Sequence, residues 1–205
     1  MLSFLNGAMA GATQRFLNIE LGRKDEKQLK KVFSTSLIIH IGVSIVVLLL
    51  AETIGLWFLN TCMNISENRM HAANWVYQYS VAAFIVSVIS VPYNATIIAH
   101  EKMSAFAYIS ILEVILKLAI VFILIVAPFD KLILYAFLIF LVGVIIRVVY
   151  GIYCKRYFLE CKLIDWRPDK QLLKDMLSFS SWTIVGSLGY IFHTQGIAIN
   201  LHSRK

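Results

Sequence analysis

Charged side chains are scarce in this sequence. Only 15% of its 205 residues are Asp, Glu, Lys or Arg, whereas 59% are hydrophobic. Soluble domains carry roughly a quarter charged residues and about half apolar ones. A deficit of charge combined with an excess of apolar residues argues against an ordinary soluble fold, and it indicates a protein whose solvent is lipid.

The chain contains only three cysteine residues. Cys62, Cys154 and Cys161 form neither an even disulfide framework nor a spacing typical of metal ligands. The sequence also lacks a P-loop, an HExxH helix, a GxSxG turn and any cluster of His and Cys. We therefore predict that the protein is not an enzyme, and we expect neither a cofactor nor a bound metal.

Acidic residues are fewer than basic ones, which leaves a formal net charge of +7. In a soluble protein this excess would suggest a nucleic-acid partner. Here the basic residues lie mainly in two loops that flank apolar blocks, residues 21–31 and 154–175. That distribution is typical of membrane orientation, so we predict a lipid bilayer as partner and no nucleic acid.

Long apolar runs dominate the rest of the chain. A spanning helix needs about 20 mainly apolar residues. The stretch 1–19 is interrupted by polar residues, and it predicts the tail of a helix that begins upstream. The predicted fold class is therefore all-α, a polytopic helical membrane protein, with complete spans at about 32–60, 72–100, 104–127, 132–153 and 176–201.

The charge of the connections predicts the orientation of these spans. Twelve basic residues lie in loops 21–31 and 154–175 and at Lys102, whereas the alternate connections hold only Arg69 and Lys131. Loops rich in Lys and Arg stay on the cytoplasmic side. We therefore predict that loops 21–31 and 154–175 are cytoplasmic.

A few charged residues lie inside the predicted spans, where they are costly and often functional. Glu113 and Lys117 are four residues apart and share one helical face. They either neutralise each other or face a hydrated cavity. Arg15 and Arg147 lie near the inner ends of their spans, where they either snorkel to the interface or line the cavity. If Arg15, Lys117 and Arg147 converge, they form a cationic lining suited to an anionic substrate.

Proline interrupts one of the predicted spans, within the run VPYNATIIAHE. Pro92 removes a helical hydrogen bond, so it predicts a kink and a freed carbonyl group. Asn94 could satisfy such a group or contact a ligand. Broken helices at mid-membrane often form transporter sites, although kinked helices without ligands are commoner, and both interpretations stay open.

Three segments together resemble one known family. They are ATQRFLNIELGRKDEKQLKKVFSTSL, VPYNATIIAHEKMSAFAYISILEVILKL, and MLSFSSWTIVGSLGY followed by TQGIAINL. This succession is similar to the bacterial polysaccharide (O-antigen type) flippases, which share a superfamily with the multidrug and toxic compound extrusion (MATE) transporters. The resemblance covers nearly the whole chain.

The resemblance implies a MATE-like protein of two six-helix lobes. Residues 1–153 then form the N-terminal lobe, 154–175 the cytoplasmic inter-lobe linker and 176–201 the first helix of the second lobe. On this interpretation the sequence starts inside the second helix and stops in the seventh, so we expect no transport by the isolated chain.

The resemblance also implies a substrate and a mechanism. By alternating access, such flippases move an anionic lipid-linked oligosaccharide, of the polyprenyl pyrophosphate type, to the outer leaflet of the bacterial inner membrane. The product serves cell-surface polysaccharide or lipopolysaccharide biosynthesis. The candidate cavity residues are Arg15, Asn94, Glu113, Lys117 and Arg147.

Two other functions are compatible with parts of the sequence. A cation-coupled multidrug exporter of the MATE type needs a carboxylate deep in the N-terminal lobe, and Glu113 could supply it. A membrane-embedded enzyme acting on polyprenyl lipids would need clustered acidic or histidine residues, which the sequence does not show. Neither the glycan nor a coupling ion is assigned.

Overall fold

The computed structural model describes the backbone of residues 3–63, 65–128, 130–162 and 169–202, and within these ranges the side chains except at 3–5, 67, 68, 184, 187, 188 and 190–202. The regular secondary structure within these ranges is helical. The elements are α1 (Ser3–Arg23), α2 (Glu26–Leu50), a π turn (Ala51–Gly55), α3 (Leu56–Thr61), α4 (Glu67–Ala99), α5 (Met103–Val126), α6 (Lys131–Tyr157), a 3-10 turn (Leu159–Cys161) and α7 (Lys170–His202).

Four helical segments are long and apolar enough to cross a membrane: Glu26–Thr61, Arg69–Ala99, Met103–Val126 and Lys131–Tyr157. They coincide with four of the predicted spans, and the all-α polytopic fold is confirmed. The shortest has 24 residues, or about 36 Å of helix, which exceeds the roughly 30 Å of a hydrocarbon core. The fifth predicted span, 176–201, lies largely outside the described side chains.

Two contacts establish that the helices alternate in direction. At one end, Arg69 in the first turn of α4 lies 3.8 Å from Asp130, which precedes the first residue of α6. At the other end, His100 after α4 lies 2.5 Å from Glu160 after α6. Helices α4 and α6 therefore run parallel, with α5 antiparallel between them.

The basic connections meet at one end of the bundle. A surface pocket there is lined by residues from the α1–α2 turn, the α4–α5 turn and the segment after α6, including Glu26, Lys30, Lys102 and Glu160. The structure thus places the predicted cytoplasmic loops on a common face, which we call the basic end.

Many of the buried side chains also lie toward the basic end. Phe33 of α2 and Tyr93 of α4 make an edge-to-face contact with 5.2 Å between ring centroids, and both side chains are buried. Helices α1 and α2 are joined by a buried hydrogen bond of 2.8 Å between the hydroxyl groups of Thr13 and Ser36. Such interhelical hydrogen bonds stabilise helix pairs in lipid, where apolar side chains gain little by contacting each other.

The π turn interrupts the second span, a feature that the uninterrupted apolar run around it did not predict. The Tyr77 hydroxyl of α4 donates a 2.8 Å hydrogen bond to the Ala51 carbonyl. A methyl group on Gly55 would overlap this hydroxyl, so the close approach requires glycine. The Tyr77 hydroxyl inserts between backbone groups that are hydrogen-bonded in a regular α-helix, and this insertion explains the wider π turn.

The helices on either side of the basic linker extend further than the hydropathy predicted. Helix α6 continues to Tyr157 and α7 begins at Lys170, with the Asp169 carboxylate accepting a 3.0 Å hydrogen bond from the Gln171 N–H. Aspartate is a preferred N-cap because its side chain satisfies the free amide groups of the first turn. Helix α7 packs on α1 through a contact between Phe179 and Phe16.

Candidate functional site

A cavity of about 340 Å³ lies among α1, α4, α5 and α6. Glu113 is one of its lining residues and lies about 15 Å along α5 from the basic end, which is half the thickness of a hydrocarbon core. The cavity therefore lies near mid-membrane. Its lining residues are Asn6, Gly7, Ala10, Ala83, Ser87, Ser90, Val91, Asn94, Glu113, Gly143, Ile146 and Tyr150.

Small side chains leave room for the cavity, and one polar face of α4 forms its wall. Ser87, Ser90 and Asn94 follow a spacing of three and four residues, so they lie on one side of the helix. Small residues of α1 and α6, among them Gly7 and Gly143, line the cavity opposite this face. The helices are thus in contact around the cavity but do not fill it.

Two buried amide oxygens in this cavity have no hydrogen-bond partner in the protein. They are Oδ1 of Asn6 on α1 and Oδ1 of Asn94 on α4, and among the described side chains only His40 Nε2 shares this condition. The Asn6 amide nitrogen donates a 3.2 Å hydrogen bond to the Ser87 hydroxyl. An unpaired buried acceptor costs about 1–3 kcal/mol, so two in one cavity indicate unused binding capacity.

The charged pair of α5 lies at the edge of the cavity. Lys117 Nζ donates a 2.5 Å hydrogen bond to Glu113 Oε1, one helical turn away. Glu113 lines the cavity, whereas the Lys117 side chain is about half exposed on the bundle surface. The two charges neutralise each other, and the carboxylate remains next to the buried Tyr150 hydroxyl, which interacts with Ser110 and Asn94.

Arg147 points away from the cavity, toward Tyr93 and the basic end. Its guanidinium carbon lies 3.7 Å from the centroid of the Tyr93 ring on α4. The guanidinium group lies over Gly151, which is one turn closer to the basic end. A Cβ atom at this glycine would come within 3.0 Å of Arg147 Nη1. A cation–π contact in this position stabilises the α4–α6 pair and turns the charge toward the basic end.

Arg15 makes the corresponding contact between α1 and α7. Its guanidinium carbon lies 4.4 Å from the centroid of the Phe179 ring. It lines an open surface groove of α1 with Gly11, Gln14, Asn18 and Ile19. The charge therefore belongs to the α1–α7 contact rather than to the cavity.

Two of the five predicted cavity residues, Asn94 and Glu113, line the described cavity, and Lys117 joins it through its ion pair. Arg15 and Arg147 each pack on a different aromatic ring outside the lining. Convergence of the three cations on a substrate stays a prediction. The spacing of Ser87, Ser90 and Asn94 was a usable signal for the cavity wall. No pattern in the sequence indicated that Asn6 and Tyr150 line the cavity.

Pro92 is buried within α4, which remains helical from Glu67 to Ala99. The Thr96 hydroxyl donates a 2.8 Å hydrogen bond to the Pro92 carbonyl. Pro92 lacks an N–H group, so the Val88 carbonyl loses its usual helical partner. Helix α4 thus continues through Pro92 with one missing backbone donor, and the kink stays a prediction.

A second polar cluster closes the basic end. His100 stacks on Phe158, with 4.2 Å between ring centroids, and pairs with the buried Glu160. Cys161 beside it is fully buried, and its hydrogen bond with Cys154, together with burial, raises the pKa of the Cys161 thiol far above its usual range. We call His100, Phe158 and Glu160 the linker clasp, because they fix the segment after α6 to the end of α4.

Comparison with known proteins identifies the family. No curated protein and no solved structure matches the sequence significantly. A family model described as polysaccharide biosynthesis protein matches residues 11–204, nearly the entire chain. The chain therefore belongs to the polysaccharide biosynthesis protein family.

Proposed function

We propose that this chain serves in a flippase that carries a lipid-linked oligosaccharide across the bacterial inner membrane for surface polysaccharide biosynthesis. The observation that carries the proposal is a polar cavity at mid-membrane, enclosed by apolar spans, in a chain of this family. Transporter sites commonly lie at this depth, between helices.

Transport fits the described residues better than catalysis does. Members of the family are generally transporters rather than enzymes. Among the described side chains, no group of three His, Cys, Asp or Glu residues is placed to hold a metal ion. A lipid-modifying enzyme would need such clustered groups at one membrane face, whereas the polar side chains that line the cavity lie in the interior of the bundle.

Alternating access assigns a task to each part of the chain. Residues 1–153 form the N-terminal lobe, 154–175 the cytoplasmic linker and 176–201 the first helix of the second lobe. The polyprenyl tail stays in lipid while the polar head passes through the cavity. A pyrophosphate held by Arg15 would lie against α7, so its binding would depend on the position of the second lobe.

A second candidate is a cation-coupled multidrug exporter, which Glu113 favours because it lines the cavity. Its pairing with Lys117 removes the net negative charge that a cationic drug or a coupling ion would need. The flippase is therefore the preferred function.

Complementation distinguishes the two candidates. The full reading frame that contains this sequence is expressed in a host lacking its own polysaccharide flippase, and in a second host lacking its main drug exporter. We expect restored surface polysaccharide in the first host and unchanged drug susceptibility in the second. Drug resistance without polysaccharide would establish the exporter and refute the flippase.

A further inference from the structure

The unused hydrogen-bonding capacity of the cavity is of the acceptor type. In Asn6 the amide nitrogen is engaged by Ser87, and the Asn94 side chain contacts the Tyr150 hydroxyl. Each leaves a buried carbonyl oxygen without a protein partner. A ligand that satisfies both oxygens must donate hydrogen bonds.

The charge of the lining residues determines which hydrogen-bond donors can bind in the cavity. The single charged side chain among the described lining residues is Glu113, and Lys117 already balances it. A phosphate group here would meet a carboxylate and two carbonyl oxygens in a medium of low dielectric constant, and the described lining offers it no unpaired cation. An uncharged donor meets no such penalty.

Shape and polarity narrow the ligand further. A volume of about 340 Å³ lies at the lower end of the range for small-molecule pockets, roughly 300–1,000 Å³. Apolar lining from Val91 and Ile146 alternates with polar lining from Ser90 and Asn94. A pyranose ring matches this surface, since it has apolar C–H faces and a rim of hydroxyl groups. Hydroxyl groups both donate and accept, so they fit either orientation of the two amide groups.

We propose that this cavity is a subsite for an uncharged sugar ring, with Asn6 Oδ1 and Asn94 Oδ1 accepting hydrogen bonds from its hydroxyl groups. The subsite rests on the proposed flippase function and refines it. The glycan is recognised among α1, α4, α5 and α6, and the pyrophosphate is held elsewhere. The Glu113–Lys117 pair keeps the subsite neutral.

Protection from thiol labelling tests the subsite in the full-length protein. A cysteine-free version carrying Ala83→Cys is reconstituted in nanodiscs and labelled with a small membrane-impermeant thiol reagent. The probes are a panel of neutral methyl glycosides (glucoside, galactoside, rhamnoside and N-acetylglucosaminide) and, separately, inorganic pyrophosphate. We expect at least one glycoside to slow labelling about twofold or more and pyrophosphate to have no effect.

Paired variants identify the groups responsible. Asn94→Leu or Asn6→Leu should abolish protection, because each removes a buried acceptor that has no partner in the protein. Each should lower Tm only slightly, because the amide groups also contact Ser87 or Tyr150. Asn60→Leu makes the same change on α3, outside the cavity, and should leave protection intact. A lower Tm with retained protection would show that the asparagines are structural and would overturn the subsite.

Three further outcomes overturn the proposal. They are protection by pyrophosphate alone, protection by no glycoside of the panel, and a cysteine at 83 that no reagent reaches from either face because other helices cover it. The flippase function is judged separately by complementation. Restored polysaccharide without glycoside protection would reject the subsite and leave the flippase standing, whereas absent complementation would reject the flippase itself.

Discussion

At the scale of single residues, the ion pair of α5 has one partner in the cavity and the other at the bundle surface. Glu113 and Lys117 should therefore be energetically coupled. Glu113→Gln or Lys117→Met alone leaves an uncompensated charge in a low-dielectric region, and each is expected to lower Tm. The double variant removes both charges and should recover most of the loss, with a coupling energy of about 0.5–3 kcal/mol. Additive effects in this double-mutant cycle would contradict the pairing.

The three cysteines differ in exposure, and their reactivity should follow it. Cys62 is exposed, whereas Cys154 and Cys161 are fully buried. Because the pKa of Cys161 is raised, its thiol stays protonated through the pH range in which ordinary thiols ionise, and thiolates are the reactive species. Mass spectrometry after maleimide labelling of the folded protein at pH 7–9 should show modification at Cys62 alone. Labelling of Cys161 without denaturant would refute its burial.

At the scale of elements, the π turn depends on the close approach of Tyr77 to Gly55. Gly55→Ala places a methyl group where the Tyr77 hydroxyl lies, so it should displace the Tyr77 ring from the second span and break its hydrogen bond. Tyr77→Phe removes only the hydrogen bond to Ala51 and should cost about 1 kcal/mol. Thermal unfolding in detergent measures both. The geometry is wrong if Gly55→Ala is as mild as Tyr77→Phe.

The linker clasp is the second feature at the scale of elements, and it connects the segment after α6 to the end of α4. His100→Phe keeps the stack on Phe158 but leaves the buried Glu160 carboxylate without its partner. Breaking such a pair costs about 3–5 kcal/mol. We expect a lower Tm and faster proteolysis after residue 161, and we expect His100→Phe combined with Glu160→Gln to recover much of the loss. A wild-type Tm for His100→Phe would show that the pairing of His100 with Glu160 contributes nothing.

At the scale of the whole molecule, four of the spans were predictable, whereas the cavity was predictable only in part. Lipid exposure imposes long apolar runs and one-sided basic loops, and both are visible in a linear sequence. The Glu113–Lys117 contact was also predictable, because it lies within one helix at four-residue spacing.

No comparable pattern in the sequence indicated which residues of different helices are in contact. Arg147 pairs with Tyr93, and Asn6 pairs with Ser87, far away in sequence. Their partners depend on how the helices rotate and cross, which periodicity does not specify. The π turn was missed for the same reason, since Tyr77 produces it from another helix.

The central claim, that the cavity carries the glycan of a lipid-linked substrate, is tested most directly by flipping in proteoliposomes. The full-length protein is reconstituted with a lipid-linked oligosaccharide, and the fraction cleaved by an externally added glycosidase is measured. The wild type and Asn60→Leu should expose substrate from both leaflets, and Asn6→Leu/Asn94→Leu should expose only that of the outer one. Full exposure with the cavity variant would contradict the claim.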